Sequence, residues 1–258
     1  MIRRIGAWVD RRGLLHPEKW LNVARGCGLT DVSLTLHAQD AGESLQPFER
    51  VGTVAKIVKG YRDAGIAPHV MLWPQPRSTH ADQLLDYLGE LHERCEGALA
   101  SAELDAEEQW TRSAWRALRG NAVAQQIRAG WPKGLPLVVN GITAALPKIL
   151  PLVKVADVLI PQAYTSTRMG QGSTPGKRQD VVADAWRKEL RPGAVLAMGL
   201  AAYSQEGAGG LSAESALKVA FDACVDECER IQYWSLADMT DGTAARKFIG
   251  ARCKELSR

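Results

Sequence analysis

Phenylalanine is scarce in this chain, cysteines are unpaired, and no stretch is apolar enough to cross a membrane. Three Phe and five Tyr stand against eight Trp in 258 residues. Trp offers a flat apolar face with a polar edge, which suits stacking on sugar rings and also fills cores. Cys27, Cys95, Cys224, Cys228 and Cys253 are odd in number and form no CxxC pair. That argues against a disulfide framework or a zinc site and predicts reduced, buried thiols. No run approaches the ~18 apolar residues of a membrane span. The opening "MIRRIGAWVD" runs straight into a strand-like segment without the apolar centre of a signal peptide, so synthesis in the cytoplasm is expected. A net charge of +3 is too small to indicate nucleic acid. No GxGxxG follows the first strand, and neither a phosphate-binding loop nor a His cluster is present, so no cofactor and no metal are expected. Internal repeats, low-complexity tracts and interdomain linkers are also missing, which predicts one domain over 1–258, expected to act as a monomer.

What is present is a regular alternation. Strand-like runs at 3–10, 31–38, 67–76, 98–107, 135–142, 155–164, 194–203 and 230–239 alternate with helical patterns. Those helices cover 18–28, 47–65, 81–97, 111–129, 144–151, 178–190, 212–229 and 242–256. Eight such units over about 250 residues predict an α/β fold, a single (β/α)8 TIM barrel. Several strands are near-continuous apolar runs, as burial on both faces requires. The rival, an open doubly wound sheet, needs a topological switch point that the sequence does not supply. The Gly-, Ser- and Thr-rich stretch 165–177 follows the sixth strand and reads as a substrate loop.

Barrel chemistry sits at the C-terminal ends of the strands. Read there, the strands offer Asp10; His37, Gln39 and Asp40; Trp73 and Gln75; Asp105 and Glu107; Asn140; Gln162 and Tyr164; Tyr203; and Trp234 or Asp238. The fourth strand, "ALASAELDAE", carries the most information. Side chains alternate along a strand, so Glu103, Asp105 and Glu107 share one face, with Leu104 and Ala106 on the other. Three carboxylates on one face raise the pKa of at least one, which is how a carboxyl keeps a proton for general acid work. Local pattern alone also fits the acidic first turn of a helix, but that reading leaves the barrel one strand short. Trp234 suits core or platform equally. Asp10 has Arg11 and Arg12 beside it as ion-pair partners, Asp238 suits the start of the last helix, and His37 and His69 suit structural roles.

Glu103-Leu104-Asp105-Ala106-Glu107 resembles the strand-four DxDxE signature of family 18 chitinases, with Glu in place of the first Asp. The shorter Asp105-x-Glu107 resembles the DxE of family 25 lysozymes. "PQAY" at 161–164 is similar to the family 18 strand-six motif ending in Tyr, and "QYWS" at 232–235 to the Trp near the end of strand eight in both families. "WVD" at 8–10 matches the strand-one Asp of the family 25 type. The resemblance implies a phage endolysin-like or chitinase-like glycoside hydrolase on a polysaccharide containing N-acetylglucosamine, peptidoglycan first, released to the wall by a route other than a signal peptide. It implies Glu107 as general acid/base and Asp105 as its assistant, holding the substrate's 2-acetamido group. It further implies Tyr164 and Gln162 as partners of that group, Trp234 as the floor under the sugar and Asp10 as a second carboxylate. Trp73, Asn140, Tyr203 and Glu103 are the remaining expected substrate-binding residues. Thr165 stands where family 18 has an acidic residue, Ala100 stands seven residues before Glu107, and the strand-six Asp of family 25 has no clear counterpart. A catalytically inactive sugar-binding barrel is the alternative of a different class.

Overall fold

The computed structural model describes residues 2–37, 44–111, 114–165 and 174–256, with the backbone alone at 108, 111 and 114–119. In chain order the elements are β1 (Arg4–Val9), α1 (Arg12–Leu15), α2 (Pro17–Cys27), β2 (Asp31–Thr35), α3 (Val51–Asp63), β3 (Ala67–Leu72) and α4 (Ser78–Cys95). There follow β4 (Ser101–Asp105), α5 (Glu108–Thr111), α6 (Ala114–Gly130), β5 (Leu137–Gly141), α7 (Leu146–Val153), β6 (Val158–Pro161) and α8 (Lys177–Arg187). The chain ends with β7 (Val195–Leu196), β8 (Met198–Ala201), α9 (Ala213–Asp222), β9 (Arg230–Trp234) and α10 (Ala244–Leu256). Local chemistry explains the boundaries. Pro17 opens α2, where its missing N–H costs nothing, and Gly28 ends it at φ 70°.

All pairings are parallel, in the order β7-β6-β5-β4-β3-β2-β1-β9-β8. β7 and β8 are two pieces of one stave divided at Ala197, the first pairing with β6 and the second with β9. The ring closes where Gln162 bridges Gly199 and the Ala163 N–H donates to the Gly199 carbonyl. The eight-stave barrel read from the sequence is therefore the fold, with β9 as the eighth stave. Expected strands were too long at their ends: 98–107 contracts to Ser101–Asp105, and Glu107 sits in the bend beyond it. The short helices α1 and α5, four residues each, were not anticipated. Gln39, Asp40 and 166–173 of the expected substrate loop lie outside the described residues.

Hydrogen bonds between non-neighbouring strands identify the lumen. Trp8 on β1 and Arg230 on β9 both reach Glu103 on β4, and Asn140 on β5 reaches Met71 on β3. Barrel interiors are ordinarily filled with branched apolar side chains. Here the apolar filling is a small cluster around Trp8, Met71, Val138, Ile160, Ala197 and Ala201. Toward the N-terminal ends it gives way to charge. Asp31 pairs with Arg4 and lies 2.8 Å from His69 Nε2, whose Nδ1 is 2.6 Å from Ser101 Oγ. Arg230 lies 3.8 Å from Asp31 and 3.2 Å from Glu103, tying the two buried acids together. The larger apolar cluster fills the layer between strands and helices. All five cysteines are buried and none forms a disulfide. No helix among the described residues is long and apolar enough to cross a membrane.

Candidate active site

A cleft of about 260 Å³ opens at the C-terminal ends of the strands. Thr35 and His37 from β2 and its end, Met71 and Trp73 from β3, Asp105 and Glu107 from β4, Gln162 and Tyr164 from β6, Tyr203 after β8 and Trp234 on β9 line it. Seven of these ten were expected site residues. Thr35, His37 and Met71 were not; the alternation that places Asp31 inward also places Thr35 and His37 there.

The β4 end carries the acids. Asp105 is the last strand residue, half-buried, with Asn140 beside it in register. Gln162 Nε2 donates to Asp105 Oδ1 and Asn140 Oδ1, each at 3.3 Å. Burial, then the neighbouring charges of Glu107 and Glu103, push the Asp105 carboxyl well above its ordinary range. Asp105 therefore keeps its proton to higher pH than a free aspartate does. Two residues on, the chain bends, and a side-chain clip fixes the bend. Gln109, 3% exposed, donates from Nε2 to the Asp105 carbonyl at 2.6 Å and accepts the Glu107 N–H at 3.0 Å. On the other flank Gly141 lets β5 approach: a Cβ there would stand 2.5 Å from the Ala106 carbonyl oxygen.

The opposite wall is aromatic. Tyr164 and Tyr203 meet edge to face with centroids 6.3 Å apart. Burial, then the charges of Asp105 and Glu107, push the Tyr164 hydroxyl well up, so it remains a neutral donor. Its segment is held by two buried glutamines: Gln179 donates to the Ala163 carbonyl at 2.6 Å and Gln205 to the Thr165 carbonyl at 2.5 Å. Trp234 is half-buried at the floor and leans on Trp8, centroids 6.2 Å apart. Trp234 thus shows a face to the cleft while Trp8, 1% exposed, belongs to the interior.

Three expected site residues stand elsewhere. Glu103, 0% exposed, accepts from Trp8 Nε1 at 2.7 Å and Arg230 Nη2 at 3.2 Å, beneath the pair and outside the cleft lining. Asp10 lies at the β1 end but does not line the cleft; Arg12 Nε holds both its oxygens at 2.9 Å. Partial burial alone would raise its pKa, but the Arg12 hydrogen bonds and charge outweigh that and hold it below the carboxylate range. That ion pair, not a role as second carboxylate, is what the geometry gives Asp10. Asn140 is 0% exposed and sits behind Gln162, supporting Asp105 from the next strand. Among the described residues no group of three or more His, Cys, Asp or Glu side chains is arranged to hold a metal ion.

No protein-family model matches this chain, and a search of curated proteins finds no relative. Solved structures do share the fold. Active domain 2 of a thermostable chitinase from Pyrococcus furiosus superposes with a TM-score of 0.69 at 11% identity, over 99% of this chain and 96% of that one. The spore cortex-lytic enzyme SleL of Bacillus cereus gives 0.66 at 12%, over 97% of this chain and 74% of that one. A family 18 chitinase from Pseudoalteromonas aurantia gives 0.60 at 12%, over 97% and 99%. At such identities the likeness is one of fold: a barrel of the kind these glycoside hydrolases use.

Proposed function

We propose that the chain is a glycoside hydrolase cleaving a polysaccharide that contains N-acetylglucosamine, with peptidoglycan as the first substrate and a chitin-like chain as the second. The observation that carries this reading is the convergence of Asp105 and Glu107 with Gln162, Tyr164 and Trp234 on one cleft. A sugar ring lies with its apolar face on Trp234. Glu107 gives its proton to the glycosidic oxygen as the bond to the anomeric carbon breaks, and the leaving sugar departs as an alcohol. The substrate's own acetamido oxygen attacks that carbon from the other side, the route open to an enzyme with one acid and no separate nucleophile. Asp105 and the Tyr164 hydroxyl, which line the same cleft, orient the acetamido group. Water then enters and gives a proton to Glu107 as its oxygen bonds to the anomeric carbon, and the bond from that carbon to the acetamido oxygen breaks to release the hydrolysed sugar. Thr165 in place of an acid leaves the positioning to Tyr164 and, through Asp105, to Gln162. The cortex-lytic neighbour supports a wall polymer as first choice.

The experiment is a comparison of substrates. Purified wild-type protein is added to cell walls and to colloidal chitin, and loss of turbidity and new reducing ends are followed. Clearing of walls supports the first choice, and release from chitin alone supports the second. Tight binding to either polymer with no reducing ends would make the barrel a sugar-binding module and overturn hydrolysis.

A further inference from the structure

The floor of the cleft rests on a residue that does not line it. Trp8 on β1 and Trp234 on β9 are partners in register on adjacent parallel strands, so both project into the lumen. Trp234 lines the cleft, and Trp8, 1% exposed, stands behind it. Their ring planes are tilted by 52°, with 6.2 Å between centroids. Contacts from two other staves fix the Trp8 ring. Its Nε1–H donates to Glu103 Oε2 on β4 at 2.7 Å. Its far edge reaches β8, where Gly199 makes room: a Cβ there would stand 3.0 Å from Trp8 Cη2.

The acceptor is itself held. Glu103 Oε1 accepts from Arg230 Nη2 at 3.2 Å, and the same nitrogen donates to Gln232 Oε1 at 3.0 Å. Each Glu103 oxygen therefore has a donor, and the carboxylate cannot turn without breaking one of the two bonds. Apolar packing against Met71, Val138 and Ile160 is non-directional and does not decide which way the indole is turned. The N–H is the ring's one polar atom and must find an acceptor when buried, so its bond makes that choice. We propose that Trp8 is a positioning residue: through its bond to Glu103 it holds Trp234 at the tilt on which the sugar ring lies. The catalytic part of this inference rests on the glycoside-hydrolase reading. A displaced floor moves the anomeric carbon relative to Glu107, and the rate is steep in that placement.

The test is a double-mutant cycle on N-acetylglucosamine oligomers. Trp8→Phe, which keeps an aromatic ring and removes the N–H, lowers kcat/KM about tenfold. In a Trp234→Ala background the same change costs less than about twofold, because the residue it acts through is gone. An equal fall in both backgrounds, or no fall in the otherwise wild-type protein, overturns the proposal. Two indoles this close also couple their electronic transitions, and the sign and size of the resulting circular-dichroism couplet depend on the angle between the rings. The couplet is assigned by its loss in Trp234→Phe. It is also lost or inverted when Glu103→Leu and Arg230→Met are combined, which removes the anchor without leaving one of its charges buried alone. A wild type without a couplet, or an unchanged couplet in that combined variant, overturns the proposal. If the wild type cleaves no oligomer, the hydrolase reading fails by itself, and the couplet decides whether Trp8 positions the floor.

Discussion

Single side chains decide whether the acid pair is held or merely present. Gln109 spans the bend between Asp105 and Glu107 by a donated and an accepted hydrogen bond, so in the proposed reaction it positions Glu107. Gln109→Met keeps the volume and removes both bonds. A misplaced acid costs rate rather than affinity, so kcat falls by about 10²-fold with KM little changed. A larger change in KM than in kcat would contradict that role. Beneath the pair, Glu103 depends on Arg230, which lies 127 residues away in sequence. Arg230→Met leaves a buried carboxylate with the Trp8 indole N–H still donating to it, and urea unfolding should show a loss of about 3–5 kcal/mol. Adding Glu103→Leu should restore much of it, because replacing both charges removes the uncompensated one. A loss below about 1 kcal/mol in the single variant would show that the pair is not closed. That sequence separation is also why the partner of Glu103 was not legible in the sequence. Period-two spacing shows which face Glu103, Asp105 and Glu107 share, but nothing local says that an arginine from the last strand meets the first of them. Asp10 has the opposite history: its partner Arg12 is two residues away, and both readings were visible.

Strands set what titrates inside the barrel. β2 and β3 bring Asp31 and His69 together, and β9 adds Arg230. Burial alone would raise the Asp31 carboxyl, but the His69 hydrogen bond and the charges of Arg230, His69 and Arg4 hold it well below its ordinary value. Burial, then Arg230, lowers His69, and Asp31 only partly offsets them. A depressed folded value gives stability that is present above the unfolded pKa and lost as pH falls. The fold therefore weakens below about pH 6.5 through His69 and further below about pH 4 through Asp31. Asp105 acts with the opposite sign: its value is raised, and its contribution is lost as pH rises. Replacing His69 with Gln should make the urea midpoint at pH 5 higher, relative to that at pH 7, than it is in the wild type. An identical pH dependence in both proteins would contradict it. At this scale the sequence was most legible in its alternation and least in its ends. The strand stops at Asp105, yet the Ala106 N–H still bonds to the Asn140 carbonyl at 2.9 Å, so the pattern that marks a strand outlasts it. The division of the seventh stave at Ala197 leaves no mark, because Ala197 is as buried and apolar as its neighbours.

Over the whole molecule, the barrel gathers residues from distant parts of the chain on one rim, and the layer between sheet and helices is the larger apolar core. That core leaves the interior free to be polar, with a charged lower half and an acid pair at the mouth. The fold was readable because eight repeats of one local pattern reinforce each other; the anchoring of Trp8 by Glu103 was not, because the two stand 95 residues apart with nothing local to pair them. The most direct measurement is reducing-end release from N-acetylglucosamine oligomers by wild type and Glu107→Gln, with both shown to be folded and to bind the oligomer. The account predicts steady release by the wild type and a fall of about 10²-fold or more in the variant, because an amide has no proton to give the leaving oxygen. Equal release by both proteins would contradict it.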